Sequence, residues 1–184
     1  MKPYLLVKKQ FVILMTASIF CFCSEVFSQT PDIKVETKQV GSQKTLVIKS
    51  TAPSSDMSKN MGDLFGKLFG YLGSNNIQPA GPPFAVYYEY DPKGNTVFEL
   101  GVPVASETKG TDEIVYKEFP AMKVISSLYV GPYEKVGPVY DFIAKYIKDN
   151  GLQLSGPTWE IYLTNPGQEP DPNKYQTVIY YPVK

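Results

Sequence analysis

The chain repeats itself, and that repeat restricts its fold more than any other feature of the 184 residues. Gly81-Pro82-Pro83-Phe84-Ala85-Val86-Tyr87 returns 75 positions later as Gly156-Pro157-Thr158-Trp159-Glu160-Ile161-Tyr162. Just upstream, Asn75-Asn76-Ile77-Gln78 matches Asn150-Gly151-Leu152-Gln153 at the same offset. Val102-Pro103-Val104 matches Tyr181-Pro182-Val183 at an offset of 79, as do the runs ahead of Ala52-Pro53 and Gly131-Pro132. Small loop insertions account for the change of offset. Four matches in one order point to a tandem duplication, with one repeat at about 33–104 and the other at about 113–184.

Each half reads as strand, helix, strand, strand, which is an α+β unit. Lys44–Ser50 and Lys123–Val130 are rich in Val, Ile, Leu and Tyr, as strands are. Met61, Leu64, Phe65, Leu68, Phe69 and Leu72 then recur at helical spacing. Val136, Val139, Tyr140, Ile143, Tyr146 and Ile147 do the same in the second half. Pro138 is tolerated only in a first turn, so the second helix starts near Val136 and stops at Asn150-Gly151. Phe84–Tyr90 with Thr96–Val102, and Trp159–Leu163 with Gln176–Tyr181, complete the two halves. Gly62, Gly66 and Gly70 lie four apart in the first helix. They predict either close backbone approach to a neighbour or a loosely held helix, since each costs about 0.5–1 kcal/mol relative to Ala.

The first 28 residues read as a signal peptide. Lys2, Lys8 and Lys9 precede an uncharged run from Phe11 to Cys23, and Val26 and Ser28 suit a cleavage site ahead of Gln29. A run of that length falls short of the roughly 20 residues a membrane span needs; an uncleaved anchor is the alternative. The expectation is a periplasmic or secreted domain at 29–184, without a stable membrane span once the leader is removed. Both cysteines, Cys21 and Cys23, fall in the leader, and the chain has no histidine and no arginine.

Those absences exclude whole chemistries. Without Cys or His there is no thiolate or histidine-based nucleophile system, no zinc site of the usual donors and no haem held through a histidine or cysteine, and no cofactor is expected. A metal would have to be a hard cation on oxygens, and none is expected. Removing Lys2, Lys8, Lys9 and Glu25 from 18 basic and 18 acidic residues leaves 15 and 17. That balance offers no basic surface for nucleic acid. The partner expected is a small organic molecule.

Strand alternation sorts the candidate residues by face. Trp159, Ile161, Phe84 and Val86 share one face, and Glu160, Tyr162, Ala85 and Tyr87 share the other. The expectation is that the helices cover the Trp159 face and leave the Glu160 face to line a groove between the repeats. A carboxylate among tyrosines suits an apolar or cationic organic ligand: Glu160 supplies counter-charge, and each ring of Tyr162 and Tyr87 adds about 0.5–2 kcal/mol of cation–π attraction. Tyr133, at the turn after Gly131-Pro132, is placed to close one end. The alternatives are a solvated Glu160 on an amphipathic strand and a Tyr133 that only packs the helix start. No residue is assigned as catalytic; were the protein an enzyme, Glu160 would be its general base, in a groove poor in water.

The order Gly131-Pro132-Tyr133, helix, Gly156-Pro157-Thr158-Trp159-Glu160-Ile161-Tyr162-Leu163, Asn165-Pro166 and a last strand ending Tyr181-Pro182-Val183 resembles the GyrI-like small-molecule-binding domain. That family is also called the bacterial transcription-activator effector-binding domain. The resemblance implies tandem β-α-β-β units forming a curved antiparallel sheet with two helices on one face. It also implies a groove glutamate at Glu160, with Tyr162 beside it and Tyr87 across the pseudo-twofold. Some stand-alone members resemble hydrolases of strained electrophiles, which makes hydrolysis of a reactive small molecule through Glu160 the alternative function. The regulators of the family carry a helix-turn-helix module ahead of the domain; here the leader stands in that place, so a transcriptional role is not expected.

Overall fold

Alternating and apolar runs pair into one antiparallel sheet in a computed structural model that describes residues 33–184. The strands are β1 (Val35–Val40), β2 (Gln43–Pro53), β3 (Phe84–Tyr90), β4 (Asn95–Pro103), β5 (Val115–Phe119), β6 (Met122–Val130), β7 (Thr158–Tyr162) and β8 (Gln176–Pro182). Helix α1 (Met57–Ser74) follows β2, and α2 (Gly137–Asp149) follows β6. The signal-peptide reading of 1–28 lies outside the described residues. Among the described residues, no helix is long and apolar enough to cross a membrane.

The sheet runs β1-β6-β8-β7-β3-β4-β2-β5, an order unchanged when the first four strands are exchanged with the last four. Register repeats as well: Thr45 faces Pro103 in one half and Val124 faces Pro182 in the other, both 79 apart. At the centre, Ala85 faces Glu160. Each half also carries one more strand than the strand-helix-strand-strand reading allowed. β1 and β5 are the two sheet edges, and their mixed sequences, VETKQV and VYKEF, lack the apolar richness that marks a buried strand. Charged side chains on edge strands also discourage pairing with other chains.

Both helices bury one narrow stripe against the sheet. Leu64, Leu68 and Leu72 of α1 and Val139, Ile143 and Ile147 of α2 are the buried positions, again 75 apart. Both also end alike. Asn76 at φ 55° and Gly151 at φ 62° take the left-handed conformation, and the following amides of Ile77 and Leu152 donate to Leu72 O and Ile147 O at 2.9 and 3.0 Å. That bond, with the preceding amide on the carbonyl two residues from the helix end, is a Schellman cap.

The helices do not cover the Trp159 face. Ala85, Tyr87 and Tyr162 pack with Leu64, Leu68 and Leu72 under α1, so the helices lie on the Glu160 side, opposite to the sequence expectation. The other side buries itself by curling. Trp159 on β7 and Phe119 on β5 are four strand steps apart, about 19 Å in a flat sheet at ~4.8 Å per step. Their rings nonetheless meet at 4.5 Å between centroids, with Phe84 stacked on Trp159 at 5.0 Å. The sheet therefore bends toward that side into a half-barrel and supplies its own second apolar layer. Alternation separates two faces of a strand; it carries no information on which one a helix will claim.

Candidate functional site

A groove opens between α1 and α2 above the central strands β3 and β7, with a volume of about 1490 Å³. Its floor is the Glu160 pairing. Because the residue facing Glu160 across the strands is alanine, fully buried, the carboxylate has room to stand up from the sheet. Glu160 is only 8 % exposed.

Three tyrosine hydroxyls hold it. Tyr162 donates to Oε2 at 2.6 Å and Tyr87 lies at 3.0 Å from the same oxygen, while Tyr140 from α2 donates to Oε1. The Tyr87 and Tyr162 hydroxyls are 3.2 Å apart, and Tyr87 also reaches Met61 Sδ of α1 at 3.8 Å. A phenol has one proton to give, so these contacts form a small network in which neighbours share donors. None of the ion pairs among the described residues involves Glu160. Burial pushes the hydroxyls of Tyr87, Tyr140 and Tyr162 well above the ordinary tyrosine range, and the adjacent Glu160 carboxylate adds to the shift. All three therefore remain protonated donors at neutral pH.

Rings extend the site outward. Phe65 of α1 and Tyr133 each meet Tyr162 in a T-shaped contact, at 5.9 and 5.7 Å between ring centroids. Tyr133 lies in a 3-10 turn, Tyr133–Lys135, that starts after Gly131 at φ 147°. It is 38 % exposed and leans on Tyr175 at 5.2 Å. Glu160, Tyr162, Tyr87 and Tyr133 thus all border one groove. A merely solvated Glu160 is ruled out by its burial.

Tyr140 was missed. It reads as one more apolar-stripe residue of α2, and its counterpart 75 positions earlier is Phe65, which has no hydroxyl. That Phe-to-Tyr difference between the repeats was the available signal. Of the two readings of Gly62, Gly66 and Gly70, close backbone approach is overturned. A Cβ at Gly62, Gly66 or Gly70 would meet nothing within 4 Å, so no neighbour approaches them closely.

Charge on the groove is one-sided. Glu89, Glu134 and Asp141 stand exposed on its rim, Glu160 sits at its floor, and no lysine is among the residues that line it. Among the described residues, no group of three or more carboxylates converges as metal ligands. The second buried carboxylate, Glu99, is differently placed: on the curled-in side, it takes Lys117 Nζ at 2.6 Å and the Tyr88 hydroxyl at 2.7 Å. Glu99 has a cation. Glu160 has only hydroxyls.

Comparison with known proteins places this geometry. The family model for the GyrI-like small molecule binding domain matches residues 33–184. No curated protein matches. Among solved structures, the chain is similar to EcmrR in a DNA complex, at 20 % identity and a TM-score of 0.76 over 83 % of this chain; the match spans 57 % of that one. It is similar to a hydrolase from Listeria innocua at 14 % identity and a TM-score of 0.60, over 82 % of this chain and 92 % of that one. It is also similar to SAV2435, solved bound to tetraphenylphosphonium, at 17 % identity and a TM-score of 0.55, over 82 % of this chain and 94 % of that one. At these identities the structures establish a shared fold.

Proposed function

The chain belongs to the GyrI-like small molecule binding domain family, and from that premise we propose that the groove between α1 and α2 binds an organic cation with aromatic or other apolar substituents. The observation that carries this reading is the buried Glu160 carboxylate, satisfied by three neutral hydroxyls and by no protein cation. Hydrogen bonds from phenols hold a carboxylate in place without cancelling its charge. A ligand cation completes the site, and the low dielectric of the groove strengthens the attraction. Tyr87, Tyr162 and Tyr133 then offer ring surface to its substituents, and a ring face turned to the cation is worth about 0.5–2 kcal/mol. The rim carboxylates raise the local concentration of positive ligands before contact.

The tetraphenylphosphonium bound to the relative of like fold makes that compound the natural probe. Calorimetric titration of residues 29–184 should give measurable binding, and Glu160→Gln, which keeps shape and removes charge, should weaken it by at least about tenfold, ~1.4 kcal/mol. Equal affinity in the two proteins would remove Glu160 as counter-charge. Trp159 is a poor reporter for this titration because it lies on the far side of the sheet; the tyrosines of the groove are the informative chromophores. The hydrolase alternative gains no support from this arrangement, since the groups that contact Glu160 are protonated tyrosine hydroxyls and no second catalytic group stands beside it among the described residues.

A further inference from the structure

The two helix walls of the groove are bare where side chains would be expected to narrow it. Gly62 and Gly66 of α1 line the groove from one side, and Gly137 lines it from α2. Gly62 and Gly137 are 75 residues apart, the same position in the two repeats. A Cβ built at any of the three meets nothing within 4 Å. None has a positive φ; Gly62 and Gly66 lie inside α1 with no backbone requirement for glycine, whereas Gly137 starts α2 directly before Pro138, whose ring disfavours helical backbone at a residue with a Cβ. Packing requires glycine at none of the three. Each glycine in a helix interior weakens the helix relative to alanine, and α1 also carries Gly70 and Gly73. What Gly62, Gly66 and Gly137 all supply to the groove is width.

We propose that Gly62, Gly66 and Gly137 determine ligand size: they hold the groove open for a cation with a broad body, whose substituents lie against exposed helix backbone while its charge sits over Glu160. This rests on the functional reading above and adds to it a class, broad rather than compact cations, and three residues that select it. Gly70 is the internal control. It sits on the same helix with an equally empty Cβ position but is not among the groove-lining residues.

The test compares two permanent cations, tetraphenylphosphonium and tetramethylammonium, by NMR titration of the wild type and of G62A/G66A, G137A, G62L and G70A. G62A/G66A and G70A should raise the melting temperature by about 2 °C per substitution, since a better helix former replaces glycine in open space, while G137A, directly ahead of Pro138, should not. G62A/G66A, G137A and G62L should lower tetraphenylphosphonium affinity by about tenfold or more, as overfilled sites do. Tetramethylammonium affinity should stay within about twofold. G70A should change neither. Stability and affinity for the broad cation thus move in opposite directions at Gly62 and Gly66 and not at Gly70. Unchanged tetraphenylphosphonium affinity in the groove variants overturns the proposal, as does an equal loss in G70A or a parallel loss for tetramethylammonium. Failure of the wild type to bind either cation overturns the functional reading itself, and this proposal with it.

Discussion

Glu160 and Glu99 are both buried carboxylates, and their surroundings assign them opposite roles. Glu99 is neutralised by Lys117 and is part of the framework. Glu160 is framed by Tyr87, Tyr140 and Tyr162 and faces an open groove. Glycines divide in the same way. Gly62 leaves space that nothing in the protein uses, whereas a Cβ at Gly101 would lie 2.2 Å from Phe84 Cζ, because that fully buried ring covers the glycine backbone. Gly101→Ala should therefore cost about 1–3 kcal/mol, read as a lower urea midpoint by Trp159 fluorescence; an unchanged midpoint would show that Phe84 moves aside freely. At this scale alternation put Glu160, Tyr162 and Tyr87 on one strand face, and turn position put Tyr133 where the chain passes from strand to helix. Tyr140 stayed hidden because helical periodicity reports that a residue faces inward and is silent on whether its far end reaches a polar group.

Strands and helices were legible where their sequences are strongly periodic. The two apolar stripes and the Asn150-Gly151 stop correspond to α1 and α2, and the four central strands lie where β-branched and aromatic residues cluster. The edge strands were not legible, because β5 owes its place to partners distant in sequence. Thr45 Oγ1 donates to Lys117 O at 2.7 Å, and Lys117 reaches past β2 to Glu99 of β4. Burial lowers the Lys117 pKa, but its hydrogen bonds with Glu99 and Tyr88 outweigh that and leave it raised. Lys117→Met strands a buried carboxylate and should cost about 1–3 kcal/mol, moderated by the partial exposure of the lysine. Glu99→Gln/Lys117→Met should cost less than the sum of its single substitutions. Strict additivity in urea denaturation would mean that the pair contributes nothing to holding β5.

Across the whole molecule, the tyrosine network ties stability to alkaline pH. Tyr87, Tyr140 and Tyr162 have folded-state pKa values raised above the ordinary value of 10.0, by burial first and by Glu160 second. The folded protein thus holds these protons more tightly than the unfolded chain does. Their contribution is fully present below about pH 10 and is lost as pH rises beyond it. Urea midpoints should fall above about pH 10, and ultraviolet absorbance should show the three phenols ionising only as the protein unfolds. Early ionisation in the native state would contradict their burial. The leader reading predicts a mature chain beginning at Gln29; mass spectrometry of protein recovered from an exporting host tests it, and an intact Met1 would refute it.

The tandem-repeat reading, the residues that share a strand face, the helix ends and the chemistry excluded by the absence of His and Arg came from the sequence alone, because each depends on residue type and local spacing. Only the tertiary structure decided which sheet face the helices cover, that β1 and β5 close the edges, and that Tyr140 completes the ring around Glu160. The physical reason is curvature. Bending toward Phe84 and Trp159 lets one apolar face bury itself, which frees both helices to roof the other and leave a charged groove between them.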